Sequence, residues 1–182
     1  DDVARLEVLP GWRTADGTHM AALQITLASG WKTYWRAPGD GGIPPRFNWS
    51  GSQNVTGASV QFPVPGVSVI NGIRTIGYKT AVTLPLRFAT IDASRPVTLR
   101  GEVEIGVCEE ICVPVRFSFD AALPADGGRD SAVMAALLDQ PLTAAEAGAT
   151  GATCSITPIT DGLTVTTRTT VPHTGGQEAV VV

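Results

Sequence analysis

The chain has no long hydrophobic run. No stretch approaches the roughly 18 apolar residues that a membrane helix requires. No basic, apolar leader opens it either, and Asp1-Asp2 reads as a mature or trimmed end. Basic residues are in deficit: 13 Lys and Arg against 17 Asp and Glu give a net charge of −4, with an isoelectric point of 5.1. A phosphate backbone calls for a basic surface, so nucleic acid is excluded as a partner. Cysteine is scarce, with three, and histidine scarcer, with two. That is too few cysteines to staple a small secreted scaffold, and no four-ligand zinc spacing exists. P-loop, dinucleotide-binding, zinc-protease and nucleophile-elbow motifs are all missing. What is present is 182 residues, 43% hydrophobic and only 16% charged. That supports a packed core and excludes wholesale disorder. The 20 glycines and 13 prolines favour turns over long helices.

The first 120 residues carry strand patterns. Between Thr18 and Ala28, the residues His19, Ala21, Leu23, Ile25 and Leu27 alternate with Met20, Ala22, Gln24 and Thr26. Gly30–Arg36 is an aromatic-rich strand that runs into a loop from Ala37 to Pro45. Phe47 and Trp49 mark a short strand, and Val55–Phe62 another. Ala81–Ala89 alternates through Val82, Leu84, Leu86 and Phe88; Pro85 inside it predicts a sheet edge or a bulge. After Asp120 the character changes. Ala121–Arg129 reads as a linker, and Ser131–Asp139 as a short helix capped by Asp130 or Ser131 and stopped by Pro141. Thr143 to Glu146 imitates a capping box. Leu163, Val165, Thr167 and Thr169 alternate again, and Ala179–Val182 is strand-like, as in a second β region cut short. The expected fold is mostly β, an antiparallel sandwich over residues 1–121. A linker with a short helix follows over 122–150, then the start of a second, incomplete β domain over 151–182.

The informative stretch is Val97–Phe119. A hairpin with Glu109-Glu110-Ile111 as its loop sets Ile105 opposite Val115 and Val103 opposite Phe117. On the other face, Glu104 meets Arg116 and Arg100 meets Asp120. One register yields an apolar face and two opposite-charge pairs; a slip of one residue destroys both. The same register sets Cys108 opposite Cys112, on the charged face near the hairpin tip. Opposed residues have Cβ atoms about 4.5–5.5 Å apart, and a disulfide needs about 3.5–4.5 Å, so only a small closure is required. A close cysteine pair is a redox couple, a metal clip or a structural loop.

Several segments resemble one family. They are Gly30-Trp-Lys-Thr-Tyr-Trp-Arg36 with Pro38-Gly-Asp-Gly-Gly-Ile-Pro-Pro45, then Phe62-Pro63 and Gly72-Ile-Arg-Thr-Ile-Gly-Tyr78. Leu84-Pro85-Leu86 and Gly106-Val-Cys-Glu-Glu-Ile-Cys-Val-Pro114 complete the set. Together they are similar to the N-terminal periplasmic domain of the DsbD family of protein-disulfide reductases. The likeness is strongest to the ScsB branch, associated with suppression of copper sensitivity. It covers about residues 1–120. The resemblance implies an immunoglobulin-like β-sandwich on the periplasmic side of a bacterial inner membrane, monomeric as an isolated domain. It implies that Cys108 and Cys112 accept electrons from a transmembrane domain of the same protein and pass them to thioredoxin-fold proteins. No metal or other cofactor is expected. The C-x3-C spacing is shorter than in the DsbD branch, which leaves the partner open. A cap loop is implied at Val69–Tyr78, with Ile73, Arg74, Thr75 and Ile76 as the cap candidates and Tyr78 as its support. The family's aromatic cap has no counterpart here. Tyr34 is implied to flank the cysteines, and Cys112 to join partners.

Each assignment has a plainer rival. Glu109 and Glu110 disfavour a thiolate beside them, or simply solvate the loop. Trp31, Tyr34 and Trp35 alternate, so at least one packs in the core. Asp40 fixes a turn. Cys154 is an odd thiol, either buried or paired with a segment elsewhere. His19 and His173 have no ligand-like neighbours in sequence. Two other functions compete. Soft thiolates suit Cu(I), so the same C-x3-C pair also fits a periplasmic copper-binding module. A structural staple is the weaker rival, because so short a loop gains little from closure.

Overall fold

The computed structural model describes residues 3–173, 175 and 178–181. Asp1, Asp2 and Val182, on which the trimmed start and the last residue of a terminal strand were read, lie outside these. The chain forms two compact units, residues 1–140 and 141–182.

The first unit is an immunoglobulin-like β-sandwich of two antiparallel sheets. One sheet orders β1 (Ala4–Arg13), β2 (His19–Leu27), β8 (Ala81–Thr90) and β5 (Val55–Val60) as β1-β2-β8-β5. The other comprises β3 (Lys32–Gly39), β6 (Gly66–Ile70), β7 (Ile73–Lys79), β9 (Val97–Cys108) and β10 (Cys112–Leu123). Its order is β10-β9-β3-β7-β6, with the short β4 (Arg46–Asn48) also on β9. In the first sheet Ile25 opposes Val82, Leu23 opposes Leu84, and His19 opposes Phe88. Val97, Leu99, Val103, Ile105 and Val107 supply the second sheet's share, all but fully buried. Each such side chain stabilises the fold by about 1.5–3 kcal/mol relative to exposure. Trp49 joins the two layers, its ring 5.6 Å from both Phe88 and Phe119.

Three features depart from the sequence expectation. Pro85 sits in β8, an interior strand, not at an edge. Its carbonyl accepts from the Gln61 N–H at 2.8 Å, just past the last β5 pair, Val60 with Leu86. The missing N–H therefore falls where the β5 ladder has ended. The stretch Val69–Tyr78 is not a loop but most of a two-stranded hairpin, β6–β7. Asn71 and Gly72 turn it with φ of 52° and 80°, the left-handed pair that two-residue hairpins require. The helix α1 (Ser131–Leu138) belongs to the sandwich rather than to a free linker. Asp130 caps it, accepting from the Ala132 and Val133 N–H groups. Val133 is fully buried in a cluster with Trp12, Met20 and Ala22. Met20 and Ala22 alternate with the core residues of β2, so the helix covers that sheet's outer face.

In the second unit, β11 (Thr150–Ile159) and β12 (Gly162–Thr170) pair as an antiparallel hairpin. Ile156 opposes Val165 and Pro158 opposes Leu163, and all residues of both strands are exposed. Thr143 and Glu146 do form the reciprocal capping bonds, but only one turn follows before Gly148 at φ 64°. Cys154 is free and exposed, so of its two sequence readings burial is overturned. Residues 179–181 have no regular structure. Among the described residues no helix is long and apolar enough to cross a membrane.

Candidate active site

The β9–β10 ladder positions the cysteines. Its register runs from Val97 with Leu123 to Cys108 with Cys112, without a bulge. Arg100 meets Asp120 and Arg116 meets Glu104 in ion pairs on the outward face. Cys108 and Cys112 share that face and are joined by a disulfide, with Cα atoms 4.1 Å apart. The two sulfurs differ in access. Cys108 is only 2% exposed, whereas Cys112 is exposed. The loop turns between them on a Glu109 N–H to Ile111 carbonyl bond.

Burial of Cys108 comes from β3. Lys32 opposes Cys108, and Thr33 opposes Val107. Opposed residues point to the same face, so Lys32 and Tyr34 rise beside the sulfurs while Thr33 and Trp35 turn away. The Tyr34 hydroxyl donates to Cys108 Sγ at 2.8 Å and lies 3.6 Å from Cys112 Sγ. Burial pushes its pKa above the ordinary phenol value, which keeps the hydroxyl a donor at neutral pH. Trp35 is buried on the opposite face, with the Arg36 guanidinium 4.5 Å above its ring.

The loop after β3 folds back over this site. A Cβ at Gly42 would come 2.7 Å from Tyr34 Cδ1, and one at Gly106 would come 2.5 Å from Ile43 Cβ. Gly106 precedes Cys108 by two residues, so Ile43 roofs the strand beside the disulfide. Neither Ile43 nor Lys32 was singled out from the sequence. The available signal was Gly106, because a glycine inside a strand marks a close approach.

Thr75, Ile76 and Tyr78 are buried in β7, while Ile73 and Arg74 are exposed there. This strand is separated from β9 by β3. Thr75 accepts from Lys32 Nζ at 3.4 Å. Ile73 packs near Gly41, and the Arg74 N–H donates to the Asp40 carboxylate. The Tyr78 hydroxyl donates to the Pro63 carbonyl at 2.8 Å, and burial, with Asp139 adding to it, drives that pKa upward. Glu109 lies against Gly30, and Glu110 is exposed. His19 is buried, with Nε2 2.7 Å from the Pro10 carbonyl and Nδ1 accepting from Arg13. His173 pairs with Glu178. No cluster of three metal-ligating side chains occurs among the described residues.

The family described as thiol:disulfide interchange protein DsbD, N-terminal, matches residues 5–124. The chain belongs to this family. The N-terminal periplasmic domain of ScsB from Proteus mirabilis shares its fold, with a TM-score of 0.63 at 22% identity. That likeness covers 94% of this chain and 81% of the ScsB domain. The reduced N-terminal domain of DsbD from Neisseria meningitidis overlaps less, with a TM-score of 0.37 at 16% identity. It covers 56% of this chain and 75% of that one. No curated protein matches the sequence. Membership in the DsbD N-terminal family makes this a thiol:disulfide interchange domain, and the match spans both cysteines.

Proposed function

We propose that this domain is a periplasmic electron carrier. It takes two electrons from a dithiol of a transmembrane domain of the same protein and reduces thioredoxin-fold proteins. The observation that carries the reading is the inequality of one bonded pair: an exposed Cys112 and a buried Cys108 that accepts from Tyr34. An incoming thiolate attacks the accessible Cys112 sulfur, forms a mixed disulfide and expels Cys108 as thiolate. The Tyr34 hydroxyl stabilises that leaving charge. The donor's second thiol then attacks the mixed disulfide. The donor is left oxidised and both cysteines reduced. In the forward half, Cys112 attacks the acceptor disulfide and Cys108 resolves the bond. The acceptor leaves as a dithiol and Cys108–Cys112 re-forms.

The test is trapping. With Cys108→Ala the domain's own resolving thiol is gone, so a thioredoxin-fold acceptor that also lacks its second cysteine, offered as an activated disulfide at its first, should stay covalently attached through Cys112. With Cys112→Ala, the covered Cys108 should trap none. Equal attachment to both variants, or to neither, overturns the reading.

A further inference from the structure

Beside the disulfide, the same sheet face holds a groove of about 290 Å³. Cys112 opposes Cys108, Cys108 opposes Lys32, and Lys32 opposes Lys79. These four residues form one row across β10, β9, β3 and β7, with their side chains on one face. The groove opens along this row. Gly66 and Gly77 face each other at its floor, Lys32 and Lys79 form one wall, and Ser68 and Thr75 form the other. Tyr34 closes its inner end, with its hydroxyl on the Cys108 sulfur. Ser68 and Thr75 hydroxyls lie 2.8 Å apart, and Lys32 Nζ reaches over the Tyr34 ring to Thr75. Neither lysine is in an ion pair among the described residues. Two ammonium groups and two hydroxyls, gathered over a glycine floor, make a cradle for carboxylate.

We infer that this groove docks an acidic segment of the partner, with carboxylates three and five residues from the partner's reactive cysteine. The inference rests on the exchange reading above. The spacing follows from the row. Adjacent strands lie about 4.8 Å apart, so Lys32 and Lys79 stand roughly 10 and 14 Å from Cys112. An extended peptide advances about 3.3 Å per residue and alternates its side chains, so its third and fifth residues, which share a face, come within a lysine side chain's reach of Lys32 and Lys79. A carboxylate next to the partner's cysteine falls short of them and meets Glu109 and Glu110 at the hairpin tip instead.

The test uses the whole chain, reduced beforehand with a dithiol and freed of it. The probes are end-capped peptides joined as homodimers by one central disulfide. They carry Glu at positions three and five from the cysteine, or Gln at those positions, or Glu adjacent to the cysteine. Released peptide thiol is followed after acid quench. The distal-Glu peptide should react about fivefold faster than the Gln peptide at low salt, and the adjacent-Glu peptide no faster than the Gln peptide. Lys79→Gln should bring the distal preference close to one. So should Gly66→Val, because a Cβ there meets nothing nearer than the Gly77 carbonyl at 3.6 Å and the larger side chain fills the groove. Equal rates for the distal-Glu and Gln peptides, or a preference that survives both variants, overturn the groove while leaving exchange intact. No reaction with any peptide overturns the exchange reading and the groove with it.

Discussion

Tyr34 is the residue on which the asymmetry of the pair depends. Its hydroxyl is held on Cys108 by the β3 register and by the loop packed on its ring. A hydrogen bond to a charged group contributes about 1.5–3 kcal/mol, and about 1.4 kcal/mol is one pKa unit. Tyr34→Phe should therefore raise the Cys108 thiol pKa and slow exchange by about threefold or more. The pH dependence of alkylation in the reduced protein measures the first, and peptide-disulfide reduction the second. An unchanged alkylation profile would reduce Tyr34 to a packing residue. The phenol's raised pKa matters in the same sense, because it remains a donor across the range where thiols titrate.

At the scale of elements, the β9–β10 hairpin was the most legible part of the sequence. Its apolar and charged faces alternate without interruption, and two opposite-charge pairs reject every neighbouring register. The sequence alone points Val103, Ile105 and Val107 inward and Glu104 with Arg116 outward, as they lie in the structure. The β6–β7 hairpin was missed although Asn71-Gly72 announces it, because a cap loop was assigned there by resemblance. The Ile43 roof was illegible for another reason. It depends on a loop crossing to a strand some sixty residues later, and periodicity describes only neighbours along the chain. Gly106 is the hinge of that contact. Gly106→Val should collide with Ile43, destabilise the domain by about 1–3 kcal/mol, and quicken alkylation of reduced Cys108. Urea unfolding and thiol labelling read the two effects. Lower stability without faster labelling would mean that the roof does not restrict access.

For the whole molecule, the position of α1 decides where the sandwich ends. The helix looked like part of a connection because its sequence carries caps but gives no address for its buried side. Val133 finds that address against Trp12, Met20 and Ala22. A protein ending at Gln140 should unfold cooperatively in urea. One ending at Leu123 should lose cooperativity or gain a red-shifted Trp12 emission as the cluster meets water. Identical unfolding of both would mean the helix adds nothing to the sandwich.

The unbroken ladder beneath the cysteines has a further bearing on traffic through the domain. Twelve paired positions, not the sulfur–sulfur link, hold these two strands in place. Opening the link should free almost no chain, so the oxidised and reduced forms are expected to keep nearly one and the same silhouette. On the proposed carrier reading, a docking protein would tell the two forms apart at the sulfurs themselves and not by contour.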